Sequence, residues 1–178
     1  MFYQTSEFYD LIYSFKNYRD EAEKIKKYID EIQPHTKTIL DVACGTGEHA
    51  SFLKKSYKID GIDLNEEFIE IAKTKNPQGN YYTRDMTQFD LKQTYDIVMC
   101  LFSSIGYVQT IDKLKHTIEQ LKKHLKDDGL LIIEPWFTPE VWTPGRVNIL
   151  TTEKEGIKIN RMTHTEKMGT CLLWIFII

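Results

Sequence analysis

A glycine-rich turn directly follows a short apolar run in the segment ILDVACGTGEHA (39–50). The run contains one acid, Asp41, and the turn contains Gly45 and Gly47 with one residue between them. Glycines let a backbone approach a ligand closely, and a helix that begins behind them directs N–H groups at it. The spacing therefore indicates a site for a nucleotide-like ligand, and the acid limits what that ligand can be.

Acidic side chains also lie at the ends of the next two apolar runs. Asp63 comes at the end of the second run, KIDGIDL, and Asp85 follows the third, together with Met86. The carboxyl ends of parallel strands meet at one edge of a sheet, where open α/β sheets bind their ligands. We therefore expect Asp41, Asp63 and Asp85 to line a single site.

Two nucleotide-like ligands are candidates for this site. Gly45, Gly47 and Ala50 match the dinucleotide template G-x-G-x-x-G/A, and Asp63 stands where a ribose-binding acid belongs. A bare match to that template is weak evidence for a nicotinamide-dependent oxidoreductase. A carboxylate at Asp41 would lie near the pyrophosphate of NAD and repel it.

S-adenosylmethionine fits the same residues without that conflict, because it contains no phosphate. Asp41 would favour its ammonium and sulfonium, directly or through water, and the N-terminus of the following helix would favour its carboxylate. Asp63 would accept hydrogen bonds from both ribose hydroxyls. Asp85 would accept one from the adenine amino group, and Met86 would pack against the adenine ring. The charge pattern therefore favours S-adenosylmethionine over NAD.

Hydrophobic periodicity predicts the strands that must position these residues. Short apolar runs alternate with amphipathic segments, which is typical of a parallel sheet with right-handed crossovers and predicts a three-layer, Rossmann-like α/β fold. After Pro144 and Gly145, three runs with no helix between them predict an appended antiparallel three-stranded sheet. The predicted strands cover residues 38–42, 58–64, 80–84, 95–102 and 130–136, and then 146–152, 157–165 and 170–178.

Helices are predicted between these strands from apolar spacing and capping residues. One helix covers residues 20–32, and one runs from the glycine turn to residue 55. A third covers residues 66–75 behind an N-cap at Asn65, and a fourth runs from an N-cap at Asp112 to Gly129. His49 is expected to be solvated, because it lies in the first turn of the second helix.

Length and composition limit the domain organisation and the partners. The chain has 178 residues, a formal net charge of −3 and a pI of about 6.0. We expect residues 1–145 to form the S-adenosylmethionine-binding domain with an N-terminal helical lid, and residues 146–178 to extend the same domain. The mild negative charge argues against nucleic acid as a partner. No apolar run approaches the roughly 18 residues of a membrane span.

Cysteine and histidine usage predicts the compartment and the absence of a metal. The three cysteines form no CxxC pair, and the five histidines include no HExxH sequence. The N-terminus has neither the basic nor the apolar region of a signal peptide. We expect a reduced, cytoplasmic protein without a metal site.

Several segments resemble known enzymes. LDVACGTGEHASFL, GIDLNEEFIEIA, RDM and YDIVMCLFSSIGY are similar to the nucleotide-site motifs of class I S-adenosylmethionine-dependent methyltransferases. SEFYDLIYSFKNYRDEA, FSSIGY and EPWFTPEVWTPG resemble the sugar N,N-dimethyltransferases that make the dimethylamino deoxysugars of macrolides. This resemblance, from about Glu7 to the C-terminus, implies methyl transfer to a small molecule. The acceptor is expected to be an amine, such as that of a nucleotide-linked amino sugar.

The resemblance also implies residue roles. Tyr9 and Tyr13 match tyrosines that family members fold over the donor site, and Tyr18 matches a further position of the N-terminal motif. Tyr13, Tyr107 and Glu134 are the candidate catalytic residues. The sugar enzymes carry histidine at the place of Tyr107, and tyrosine, with a pKa of about 10, is a poor base at neutral pH. The residues predicted to bind the cofactor are Tyr9, Tyr13, Tyr18, Asp41, Ala43, Cys44, Gly45, Gly47, Asp63, Leu64, Asp85, Met86, Leu101 and Phe102.

The C-terminus departs from the pattern of the sugar enzymes. In that subgroup a final helix and strand pair follow an inserted antiparallel sheet, and we expect those last strands to be absent here. The final residues, WIFII, are apolar, and an unpaired apolar strand favours pairing with another chain. We therefore expect a shortened chain or a homodimer through the C-terminal strands. A decayed protein that binds S-adenosylmethionine without turnover is an alternative, and an NAD-dependent oxidoreductase is a less favoured one.

Overall fold

The computed structural model describes residues 8–168 and 171–177, with side chains described for residues 8–167. These residues divide into two compact units. The first unit is Asn17–Trp136. Within the described residues, the second combines residues 8–16 with the segment from Phe137 onward.

A parallel five-stranded sheet forms the centre of the first unit. Its strand order is β3-β2-β1-β4-β5, and every neighbouring pair is parallel. This arrangement confirms the predicted Rossmann-like fold. The strands are β1 (Thr38–Val42), β2 (Lys58–Asp63), β3 (Tyr81–Thr83), β4 (Tyr95–Cys100) and β5 (Leu125–Ile133).

Helices cover both faces of this sheet. Successive side chains of a strand point to opposite faces, so Ile39 packs into one apolar cluster and Leu40 into the other. The first cluster includes residues of three helices, and the second includes Leu121 of a fourth. Ile39 and Leu40 are fully buried, and each such side chain contributes about 1.5–3 kcal/mol to folding. The helices are α2 (Tyr18–Ile32), α3 (Glu48–Leu53), α4 (Glu66–Lys75) and α5 (Ile111–Lys123), and α1 (Tyr9–Ile12) belongs to the second unit.

One of the two predicted helix caps is confirmed and the other is wrong. The Asn65 side chain accepts a hydrogen bond from the Glu67 N–H at 2.9 Å and caps α4 as expected. The predicted cap at Asp112 is wrong, because Thr110 caps α5 by accepting from the Lys113 N–H at 3.2 Å. Asp112 lies inside the first turn, where its charge favours the helix dipole instead.

The end of α5 also differs from the prediction. The helix ends at Lys123 and not at Gly129, which lies inside β5. His124 terminates the helix: its Nε2 accepts from the Leu91 N–H at 3.0 Å, and its carbonyl accepts from the Tyr95 N–H at 2.8 Å. The second of these bonds brings the chain directly into the sheet. Leu125, expected on the helix, therefore begins β5 beside Tyr95.

Gly47 packs closely against α4, and its substitution tests how much this packing contributes to stability. Its φ is +76°, and a Cβ there would lie 3.0 Å from the Cβ of Ala72. We expect Gly47→Ala to lower the free energy of unfolding by about 2–3 kcal/mol, through left-handed strain plus overpacking. Gly45→Ala is the matched control, because its φ is +56° but a Cβ would meet nothing within 4 Å. Equal losses in urea denaturation of the two variants would contradict this packing role.

The second unit contains the predicted antiparallel sheet. Its strands, in the order β6-β7-β8, are β6 (Val147–Lys154), β7 (Ile157–Met168) and β8 (Cys171–Ile177). Glu155 and Gly156 join the first two strands with φ values of +54° and +81°, as a two-residue type I′ hairpin requires. The three-stranded sheet is therefore confirmed, with strands β6 and β7 longer than predicted.

The compact units divide at a different position from the predicted boundary at residue 145. The Gly145 N–H donates to the Thr165 carbonyl at 2.6 Å, and Trp142 Nε1 donates to the Glu166 carbonyl at 3.0 Å. Helix α1 contacts β6. These contacts place residues 137–145 and residues 8–16 with the antiparallel sheet. That the two parts form one domain stays a prediction.

The described residues contain neither a membrane-spanning helix nor a cluster of metal-ligand side chains. No described helix is long and apolar enough to cross a membrane. No group of three or more His, Cys, Asp or Glu side chains in the described part of the chain could hold a metal ion. The cytoplasmic location stays a prediction.

Candidate functional site

The carboxyl ends of the five parallel strands bring most of the predicted site residues to one edge of the first unit. Strands β1 and β4 are neighbours there, although the chain forms β2 and β3 between them. Such a reversal of strand order opens a crevice where α/β sheets bind ligands. The residues at this edge are Asp41, Ala43, Cys44, Gly45, Gly47, Asp63, Leu64, Asp85, Met86, Leu101, Phe102 and Glu134.

Asp63 fastens the glycine turn to the end of β2. Its Oδ2 accepts from the Gly45 N–H at 2.8 Å, and its Oδ1 accepts from the Asn65 N–H at 2.9 Å. Burial raises the pKa of Asp63, and these two N–H bonds oppose the rise because they favour the charged form. Each carboxylate oxygen can accept a further hydrogen bond. Asp63 can therefore hold the turn and accept from a ligand at the same time.

Asp41 is a buried carboxyl group without a complete set of partners. The residue is 2% exposed, and its Oδ2 has no hydrogen-bond partner among the residues that the structure describes. Burial, followed by the negative charge of Asp63, raises its pKa to about 8. A cationic ligand would relieve this cost, since it favours the ionised form. The chemistry of this group fits a positively charged ligand and opposes a pyrophosphate.

The backbone of the turn stays accessible at Gly45. Its φ of +56° belongs to the left-handed region, and a Cβ there would meet nothing within 4 Å. Ala43 has a positive φ of 57° as well. The open space over Gly45 is what close approach of a ligand to a backbone requires.

Gly61 is a supporting residue that sequence reasoning missed. A Cβ on Gly61 would lie 2.6 Å from Cε1 of Tyr81 and 2.9 Å from Sγ of Cys44. The missing side chain on β2 therefore lets the Tyr81 ring and the Cys44 thiol pack close to the turn. The signal in the sequence was the glycine inside a strand, which often marks a close approach. Burial, followed by the charges of Asp41 and Asp63, raises the pKa of the Cys44 thiol well above its usual range, so it is a poor nucleophile.

The predicted adenine-binding residues follow β3. Asp85 is half-buried, and its Oδ1 accepts from the Thr87 N–H at 2.8 Å. Met86 packs against the apolar cluster that contains Leu40. Leu64 is largely exposed at the end of β2, and Leu101 is buried after β4. Their binding roles stay predictions.

Glu134 and Tyr107 lie in segments that follow neighbouring strands. Glu134 comes directly after β5, and its Oε2 accepts from the Phe102 N–H at 2.7 Å. Phe102 has a φ of 54°, so this bond stabilises a strained loop after β4. Tyr107 is 57% exposed on a 3₁₀ turn, Ser104–Val108.

Tyr18 lies beside the helix that follows the glycine turn. It is the first residue of α2, and its ring meets the His49 ring edge-on, with centroids 5.1 Å apart. His49 is only 8% exposed, and its Nε2 lies 2.9 Å from Oε2 of Glu21. The expectation that His49 is solvated is therefore wrong, because α2 packs over α3.

Tyr9 and Tyr13 belong to the second unit. Both lie on or next to α1, with ring centroids 4.7 Å apart. Tyr13 is buried, and the guanidinium carbon of Arg161 lies 4.9 Å from its ring centroid. Burial raises the pKa of Tyr13, and Arg161 partly opposes this rise. The predicted role of both tyrosines over the donor stays a prediction.

Comparisons with known proteins give the family. A methyltransferase domain model matches residues 39–129. The chain is 34% identical over 169 residues to dTDP-3-amino-3,6-dideoxy-alpha-D-glucopyranose N,N-dimethyltransferase of Streptomyces fradiae, covering 93% of this chain and 66% of that protein. It is 30% identical to dTDP-3-amino-3,4,6-trideoxy-alpha-D-glucopyranose N,N-dimethyltransferase of Streptomyces venezuelae, covering 92% of this chain and 70% of that protein.

Solved structures agree with this result. The crystal structure of Streptomyces venezuelae DesVI matches with a TM-score of 0.88 at 30% identity, covering 95% of this chain and 73% of that one. S-adenosylmethionine-bound CalS10, an amino pentose methyltransferase from Micromonospora echinaspora, matches with a TM-score of 0.80 at 29% identity. The match covers 86% of this chain and 66% of that one. The family model, the relatives and the strand-end geometry agree, and the chain belongs to the class I S-adenosylmethionine-dependent methyltransferases.

Proposed function

We propose that this protein transfers a methyl group from S-adenosylmethionine to the amino group of a nucleotide-linked amino sugar. The observation that carries the proposal is the similarity, over 92–93% of this chain, to relatives named as dTDP-amino sugar N,N-dimethyltransferases. The buried carboxyl group of Asp41 supports the donor half of the proposal, because its Oδ2 has no hydrogen-bond partner among the described residues and a cationic ligand would favour its ionised form.

The strand-end residues of the first unit would hold the donor. Asp41 and the open backbone of Gly45 would face its methionine portion, and Asp63 would accept from its ribose. Asp85 and Met86 would face its adenine. When bound, S-adenosylmethionine supplies a methyl group on a sulfonium, which is already an activated electrophile. The protein then contributes mainly alignment and exclusion of water.

The acceptor amine must be neutral to attack, so the three candidate catalytic residues are expected to orient it or to accept its proton. Tyr13 stays protonated at neutral pH because burial raises its pKa, so it can orient an amine but not deprotonate it. Glu134 is the carboxylate among the three candidates. Its Oε2 is held by the Phe102 N–H, which leaves Oε1 to accept a proton. We propose Glu134 as the base, with Tyr107 and Tyr13 as orienting groups.

Calorimetric titration tests the donor half of this proposal. We expect the 178-residue protein to bind S-adenosylmethionine and its demethylated product with micromolar affinity and NAD not at all. Circular dichroism of the same sample establishes that it is folded. Binding of NAD, or a folded protein that binds neither methyl donor nor product, would contradict the proposal.

The acceptor half is tested by turnover with a dTDP-linked amino sugar. Mass spectrometry of the acceptor counts the methyl groups transferred. Donor binding without any transfer would favour the alternative of a binding protein that lacks turnover. A homodimer through β8 stays a separate prediction, since this strand lies at one edge of the antiparallel sheet.

A further inference from the structure

One face of β7 is buried and yet largely polar. Ile159, Arg161, Thr163 and Thr165 alternate along this strand, and all four are at least nine-tenths buried. Residues two apart lie on the same face of a strand. A buried face of this kind is normally apolar, so three polar side chains there need an explanation.

Arg161 is the unusual member of this set. The residue is 9% exposed, and its Nε and Nη1 have neither exposed surface nor a hydrogen-bond partner within the part of the chain that the structure describes. Nε carries one N–H donor and Nη1 carries two, and each of these donors prefers an acceptor. Burying a charge without a counter-ion is costly, and an apolar side chain of similar size would be tolerated better. The fold by itself gains little from this cation.

Aromatic rings hold the guanidinium in place. The guanidinium carbon lies 4.9 Å from the ring centroid of Tyr13 and 5.8 Å from that of Phe15. These cation–π contacts stabilise the guanidinium but do not satisfy its N–H donors. Tyr13 also makes a side-chain hydrogen bond with the guanidinium, so it is Nε and Nη1 that have no partner among the described residues.

Residues that follow a short helix lie over Arg161. Tyr13 and Phe15 follow α1, a helix of four residues, and Phe15 is itself largely exposed. One side-chain contact from this segment to the sheet is between the hydroxyls of Ser14 and Thr152, at 3.5 Å. Helices this short have little stability of their own. Access of a ligand to Nε and Nη1 requires this segment to move, because neither atom has exposed surface.

We propose that Arg161 binds a phosphoryl group, namely the diphosphate of a nucleotide-linked substrate. The proposal rests on the proposed function for the presence of that diphosphate. Arginine suits this role because its planar donors match phosphate oxygens. Thr163 adds a hydroxyl on the same face of β7.

Calorimetric titration with dTDP, thymidine and inorganic phosphate tests this proposal. Wild-type protein is expected to bind dTDP at least about tenfold more tightly than thymidine. Arg161→Met should weaken dTDP binding by about 10- to 100-fold and leave thymidine binding unchanged, since one charged hydrogen-bonding partner is lost. Its unfolding temperature should be equal to or above that of the wild type, because an unpaired buried charge has been removed.

Arg146→Met is the matched control. Arg146 is an exposed arginine of the same unit, so its removal makes the same change in charge and should leave dTDP binding unchanged. Arg161→Lys keeps the charge but loses the planar donors, and should bind dTDP with intermediate affinity; it also serves if the methionine variant does not fold.

Three results would overturn the proposal: equal binding of dTDP and thymidine, unaltered dTDP binding by both Arg161 variants, or equal losses in Arg146→Met and Arg161→Met. Titration with S-adenosylmethionine in parallel separates this proposal from the proposed function. A protein that binds the donor but shows one of these results contradicts only the role of Arg161.

Discussion

Replacement of Asp63 by alanine is expected to weaken S-adenosylmethionine binding by about 2–4 kcal/mol. Without the carboxylate, the two ribose hydroxyls lose their hydrogen-bond acceptor. Hydrogen bonds to a charged acceptor are stronger than those between neutral groups. The structure adds a second cause, because Asp63 also holds the Gly45 and Asn65 N–H groups. The glycine turn should therefore loosen in the variant. Calorimetric titration measures the affinity, and urea denaturation measures the loss of stability.

Two further variants separate these causes. Asp63→Asn keeps one acceptor oxygen for the backbone but removes the charge, so it should retain more stability than alanine while still losing affinity. Asp90→Ala removes an exposed acid that is ion-paired with Lys92, and should leave both quantities nearly unchanged. Unaltered donor affinity in Asp63→Ala would refute the ribose assignment.

Asp41→Asn is expected to change how stability depends on pH. The pKa of Asp41 is raised to about 8 in the folded protein, whereas the pKa of an aspartate in the unfolded chain is about 3.9. Between these values the folded state binds the extra proton, so the wild type loses stability as pH rises, by roughly 1.4 kcal/mol per pH unit. The stability that Asp41 contributes is thus fully present below about pH 4 and is lost as pH rises through 8. Asparagine does not titrate and should remove this dependence.

The difference between the two proteins isolates this effect, because all other groups titrate in both. The free energy of unfolding of Asp41→Asn should rise relative to the wild type by about 4 kcal/mol between pH 4 and pH 7. Donor affinity should behave in the opposite sense. Wild-type binding should strengthen towards pH 8, because a cationic ligand favours the carboxylate, and the variant should bind weakly without this pH dependence. Parallel stability curves for the two proteins would show that Asp41 is not a buried titrating group.

The strands of the parallel sheet and their end residues could be predicted because local patterns encode them. Buried parallel strands are short apolar runs, and the acids that follow them at Asp41, Asp63 and Asp85 lie at one edge once the strands align. The cap at Asn65 was predictable for the same reason, since a cap acts within one helical turn. The Thr110 cap was missed because Thr110 and Asp112 are both capping residue types and sequence patterns do not choose between them.

Features that depend on distant contacts could not be predicted. His49 is buried because α2, some thirty residues earlier, brings Glu21 to within 2.9 Å of its ring. The early start of β5 depends on His124, whose ring and carbonyl bond to Leu91 and Tyr95. Gly61 supports the site only because Tyr81 and Cys44 pack against it. Each of these contacts joins segments that are apart in the sequence, and only folding brings them close in space.

The family, the order of the elements and the chemical types at the strand ends could all be predicted from the chain's residues, because they depend on local periodicity and on short motifs. Which ionisable groups have buried atoms without a hydrogen-bond partner became known from the packed chain. Among the described residues, Oδ2 of Asp41 in the first unit and Nε and Nη1 of Arg161 in the second are buried without a hydrogen-bond partner. Burial and the absence of a partner are properties of the packed chain, since they depend on what every other segment places nearby. They are also the properties from which ligands of opposite charge are inferred.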